Sequence, residues 1–161
     1  MWKYGKTMQE VIPDLVKNSD VIITSSRGIH EMFGLGKLED SFKSLAKELI
    51  ANFPNIKKVV KKTRRSLSAS HNQIQGKIYN GKQYIKSDML NITHIIDRVG
   101  TGDAFAAGLI YGLLHYKDKE AIEFASAACA LKHTVTGDVN LVSLDNVKSL
   151  MQGNTSGAIK R

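Results

Sequence analysis

With 161 residues, 42% of them hydrophobic and 24% charged, the chain has the size and balance of one domain with its own core. Two prolines and no low-complexity tract exclude a disordered class, no apolar stretch nears the roughly 20 residues of a membrane span, and the start MWKYGKTMQE lacks the apolar centre of a signal peptide. The net charge of +8, from 23 basic and 15 acidic residues, suits an anionic partner, and the single Cys129 excludes an intramolecular disulfide and points to a reducing, cytoplasmic setting.

Met8, Val11, Ile12, Leu15 and Val16 recur at helical spacing, with Pro13 expected to begin or kink that helix. Residues 20–24 form a short β-branched run that reads as a buried parallel strand, followed by a loop punctuated by Gly34 and Gly36. Residues 39–53 are the clearest amphipathic helix. Phe42, Leu45, Ala46, Leu49, Ile50 and Phe53 share one face, and Pro54 ends it.

Residues 57–62 read as a strand. Residues 70–86 read as a meander of short strands, turned at Asn80-Gly81. A further strand covers 91–96. A helix over 103–115 is apolar nearly all round and therefore predicted to be buried. An alanine-rich helix follows over 119–132 and places Cys129 in a buried apolar run. A short helix over 145–151 takes Asp145 as its cap, and residues 153–161 read as a frayed tail. Strands alternating with helices predict an α/β domain with a mainly parallel sheet, whose ligands gather at the carboxyl ends of the strands.

The string Asp97-Arg98-Val99-Gly100-Thr101-Gly102-Asp103-Ala104-Phe105 stands between a strand and a helix. Glycines there admit backbone angles that a Cβ would block. Successive N–H groups at a helix N-terminus attract anions, as phosphoryl transfer requires. A carboxylate at that mouth, Asp103, can accept a proton from an attacking hydroxyl. The competing reading makes Asp103 an ordinary helix N-cap and the glycines a mere turn.

This string resembles the C-terminal signature of PfkB carbohydrate kinases, D-T-x-G-A-G-D-x-F, through Asp97, Gly100, Gly102, Asp103 and Phe105. Thr101 stands where alanine is usual, and Arg98-Val99 replaces the commoner Thr-Thr. The Asp-Arg-Val-Gly variant is similar to the 2-keto-3-deoxygluconate kinase branch. So are Ser68-Ala69-Ser70-His71-Asn72, Gly108-Leu109-Ile110-Tyr111-Gly112-Leu113, and Ala130-Leu131-Lys132-His133 followed by Gly137-Asp138. The resemblance implies a ribokinase-like three-layer α/β fold, a Rossmann-type sheet flanked by helices. Residues 1–152 would form its C-terminal, nucleotide-binding half.

On that resemblance Asp103 is the catalytic base, the amides of Gly100, Thr101 and Gly102 are the anion hole, and ATP with Mg2+ is the cofactor. Asp97 matches a residue near the metal and a monovalent cation; bracing the turn is its alternative role. Thr63 and Arg65 match a strand-end segment that touches nucleotide, against a solvated basic face formed by Lys57, Lys58, Lys61, Lys62 and Arg64. Ala128 and Lys132 align near the adenine pocket, with core packing as the alternative for Ala128. His71 and His133 lack partners at metal-ligand spacing, so no protein-held metal site is predicted.

Two departures stand out. The family's sugar-binding half is absent, and Ser25-Ser26-Arg27-Gly28 occupy positions where the family carries acidic residues that organise Mg2+, leaving Glu31 as a distant substitute. The implied activity is ATP-dependent phosphorylation of a sugar or sugar-acid hydroxyl, impaired in this chain alone. The alternative is a non-catalytic, nucleotide-binding remnant. An exposed sheet edge predicts a homo-oligomer. The basic cluster has no aromatic neighbours, which argues against nucleic acid as a partner.

Overall fold

The computed structural model describes residues 5–153. In chain order the elements are α1 (Met8–Val16), β1 (Val21–Ile23), α2 (Ser26–Phe33), α3 (Phe42–Asn52), β2 (Lys58–Ser66), β3 (Asn72–Tyr79), β4 (Tyr84–Lys86), β5 (Leu90–Ile92), α4 (Thr101–His115), α5 (Asp118–Lys132) and α6 (Leu144–Met151). The strand path is β1-β2-β3-β4, with β5 also paired to β3. β1 and β2 are parallel, with Ile22 opposite Val59. β3 and β5 are antiparallel, with Asn72 opposite Ile92 and Ile74 opposite Leu90. The sheet is therefore mixed, not mainly parallel. The chain forms two units: residues up to Lys62 with Lys77–Ile85, and Thr63–Gly76 with the residues from Lys86 onward.

In the first unit, α1 opens with a capping box. The Thr7 N–H and hydroxyl both donate to Glu10 Oε2, at 2.6 and 2.7 Å. Pro13 lies inside this helix, not at its start. It removes one ladder bond, to the Gln9 carbonyl. Ile12 and Val16 nevertheless pack on the core of Ile29, Phe42, Leu45, Leu49, Ile56 and Val59, and that packing outweighs the lost bond. α2 replaces the expected loop: Ser25 Oγ accepts from the Gly28 N–H at 2.9 Å, and Gly34 ends the helix in the left-handed region. β1 lies at the end of the strand path, so Ile23 is exposed, not buried as expected. At the hairpin turn, Asn80 Oδ1 accepts from the Lys82 and Gln83 amides, and Gly81 has φ +84.

The second unit is built on α4 packed against α5. A Cβ on Gly108 would come within 2.9 Å of the Ala128 methyl, and one on Gly112 within 2.8 Å of the Ala121 Cα, so small residues set the close approach. α5 is buried almost end to end, Cys129 included. Phe124, Ala127 and Ala128 meet Val147 of α6, with the Tyr111 ring tilted by 30° against Phe124 at 4.9 Å between centroids. α6 is capped by Ser143, whose Oγ accepts from the Asn146 N–H at 3.2 Å, in place of Asp145. β5 stops at Ile92, short of the expected 96, because the Ile96 and Asp97 amides turn instead to the His133 carbonyl. α4 is not buried all round: Phe105 and Leu109 are buried, but Ile110 is 61% and Leu114 76% exposed. Of the tail expected over 153–161, residues 154–161 lie outside the described residues.

Candidate phosphate-binding turn

The segment between β5 and α4 is held by one carboxylate. Asp97 Oδ1 accepts from the Val99 N–H at 2.9 Å and Oδ2 from the Gly137 N–H at 2.8 Å. Those two bonds, first Val99 and then Gly137, hold the carboxyl below the ordinary aspartate range, with a smaller contribution from the charge of Lys132. Both Asp97 oxygens thus serve the backbone, which is the bracing alternative. Arg98 extends the brace through its Nη2, which donates to the Ala69 carbonyl at 2.6 Å.

Gly100 has φ +73, and a Cβ there would stand 2.1 Å from the Asp138 carbonyl oxygen. Its own carbonyl accepts from the Ala104 N–H at 2.8 Å, which makes Gly100 the residue capping α4. Asp103 is therefore not the cap but the third residue of the helix, and its side chain is exposed. Thr101 is buried; its hydroxyl donates to the Arg98 carbonyl at 3.0 Å and its amide makes a long 3.4 Å contact to the same oxygen.

The amides of Gly100, Gly102 and Asp103 have no hydrogen-bond partner among the described residues. First-turn N–H groups have no carbonyl four residues back within the helix, so the open donors shift by one position from the expected set. Thr101 gives up its amide to the turn, and the Asp103 amide takes its place. The Asp103 carboxylate likewise forms no ion pair or hydrogen bond among the described residues. Three amides at the positive end of a 15-residue helix and one exposed carboxylate can bind an oxyanion and accept a proton beside it.

The other expected site residues lie in the same unit. Thr63 is half-buried on β2, with its Oγ1 buried and without a partner among the described residues. Arg65 is exposed. Ala128 lies in the α4–α5 contact, as its packing alternative had it. Lys132 is turned inward and fully buried, donating from Nζ to the carbonyls of Val135 at 2.9 Å and Gly137 at 2.5 Å.

The described residues contain no group of three or more His, Cys, Asp or Glu able to hold a metal ion. In the first unit, the stretch expected to lack acidic residues forms the start of α2, where Glu31 is engaged by Arg27 at 2.5 Å. These residues do not make a protein cage for Mg2+.

Open amides at the N-terminus of a helix, beside an exposed carboxylate, are the kind of donors that attract an anion. Residues 2–144 match the pfkB family carbohydrate kinase, and the chain belongs to that family. It is 27% identical over 150 residues to a 2-dehydro-3-deoxygalactonokinase of Haloferax volcanii, covering 92% of this chain and 43% of that protein. Its fold is similar to that of a 2-dehydro-3-deoxygluconokinase of Thermotoga maritima (TM-score 0.82, 33% identity, 91% of this chain and 45% of that one). It also matches a PfkB family carbohydrate kinase of Listeria grayi (TM-score 0.82, 26% identity, 89% and 44%). The chain thus spans less than half the length of these relatives.

Proposed function

We propose that the turn binds the terminal phosphates of ATP and that Asp103 is the base in phosphoryl transfer to a hydroxyl of a sugar acid of the 2-keto-3-deoxygluconate or -galactonate type. The observation that carries this reading is the juxtaposition of the three open amides with the exposed carboxylate on one helical turn. The names of the Haloferax and Thermotoga relatives support the substrate class. In the reaction the acceptor oxygen bonds to the γ-phosphorus, its proton passes to the Asp103 carboxylate, and the bond to the β–γ bridging oxygen breaks to release ADP. The amides stabilise charge on the transferred group, as electrostatic and positioning effects dominate this chemistry. Mg2+ would arrive with the nucleotide. Thr63 and Arg65 are the groups proposed to touch the nucleotide. The chain contains no helix long and apolar enough to cross a membrane among its described residues, and we place it in the cytoplasm.

The chain alone should be a weak enzyme, because holding both reactants in attack geometry can supply roughly 7–11 kcal/mol of the barrier. A second reading, a nucleotide-binding remnant that transfers nothing, is favoured by Arg27 standing where acidic residues are expected. A titration with Mg-ATP followed by a phosphorylation assay on 2-keto-3-deoxygluconate separates the two. For a kinase, Asp103→Asn should cut turnover by about 10²–10⁴-fold without weakening ATP binding. If the wild type binds ATP and Asp103→Asn leaves product formation unchanged, the base is misassigned.

A further inference from the structure

We propose that Lys132 is a tethered monovalent cation: its ammonium sets the carbonyl loop that walls the phosphate-binding turn, and so makes the turn independent of free potassium. The consequence for ATP rests on the reading of that turn given above; the structural claim does not. Lys132 is the last residue of α5 and is fully buried. A buried ammonium is costly unless it is well coordinated. Its coordination comes from two main-chain carbonyls, Val135 and Gly137, the kind of oxygen that binds a compact monovalent cation, and not from a carboxylate in contact. The ion is thus held by a loop rather than holding a ligand.

The same peptide segment reaches the turn at two points. Gly137 gives its carbonyl to Lys132 and its N–H to Asp97 Oδ2, and Asp97 Oδ1 in turn holds the Val99 amide. The next residue, Asp138, presses its carbonyl oxygen against Gly100. Lys132 therefore stands at the end of a short relay, Lys132 to Gly137 to Asp97 to Val99, with Asp138 fixing Gly100 beside it. Without the charge, two carbonyls lose their donor and the loop that clamps the turn loses its anchor. Lys132 touches no reacting group; it is a positioning residue, and it pre-organises donors that a loose loop would have to order on binding.

The test uses the full chain with ATP as probe, together with hydrogen exchange at the Val99 and Gly137 amides. Lys132→Met should weaken ATP binding about tenfold and speed exchange at both amides, with the helical circular dichroism kept. Lys132→Ala leaves room for a free ion, so potassium or methylammonium should restore both readouts, while Lys82→Met, an exposed lysine in the hairpin turn, should change neither. The wild type should show the same exchange in potassium as in tetramethylammonium. Exchange that depends on potassium in the wild type overturns the proposal, and this arm needs no variant to fold. So does unchanged exchange in Lys132→Met, or a folded Lys132→Ala that no cation restores. If the wild type binds no ATP but the exchange results hold, the phosphate reading fails and the tethered cation stands.

Discussion

Gly100 carries two constraints that no side chain meets together: a left-handed φ of +73 and a carbonyl oxygen 2.1 Å from where a Cβ would sit. Left-handed backbone costs other residues about 1–3 kcal/mol, and the Asp138 contact adds to it. Gly100→Ala should therefore lower the unfolding free energy by about 2 kcal/mol or more in urea denaturation; an unchanged midpoint would show that the turn is not packed as described. Asp97 gives a pH signature. Its folded pKa lies below the ordinary 3.8, so its bonds stabilise the fold fully above that value and are lost as pH falls through the lowered folded one. The stability gap between wild type and Asp97→Asn should be widest near neutrality and close in acid; a gap that widens in acid would have the wrong sign. At this scale a glycine-flanked carboxylate before an apolar helix is a local pattern that the sequence displays, whereas the Thr101 amide turning to the Arg98 carbonyl is not. Nothing local in the sequence says that Lys132, at a helix end, bonds to carbonyls three and five residues onward.

At the scale of elements, legibility followed packing. α3 and α5 were readable because their burial is complete within the chain: Leu45, Leu49, Ala125 and Cys129 are all fully buried. α2 is hard to read in the sequence because Ser26-Arg27-Gly28 dilutes its apolar face, although Ser25 and Gly34 mark both ends. The apolar run of β5 continues to Ile96 in the sequence, but the strand ends earlier because the backbone there bonds to His133. α4 shows where pattern alone misleads. Its sequence is apolar on every side, yet Asp103, Ala107, Ile110 and Leu114 lie along one exposed stripe, since residues three and four apart share a helix face. Leu109→Ala, on the buried side, should cost about 2–5 kcal/mol. Leu114→Ala should stay within about 0.5 kcal/mol. Equal losses in thermal or urea unfolding would mean that the helix is oriented differently.

For the whole molecule, the exposed apolar residues and the sheet edge point the same way. Ile110, Leu114, Val139 and Leu141 are each more than 60% exposed, and exposed apolar side chains favour association where they adjoin. β1, at the end of the strand path, adds an edge that can pair with another strand. The chain in isolation should be a dimer or larger at micromolar concentration by light scattering, and a clean monomer would contradict this. The net charge of +8 should also make nucleotide binding weaken as salt rises.

The central claim, that the amides opening α4 receive phosphate, is tested most directly by following backbone N–H resonances as ATP is added. The amides of Gly100, Gly102 and Asp103 should shift together and saturate at one dissociation constant, while that of Thr101, turned towards Arg98, moves less. ATP that binds while those three resonances stay in place would contradict the account.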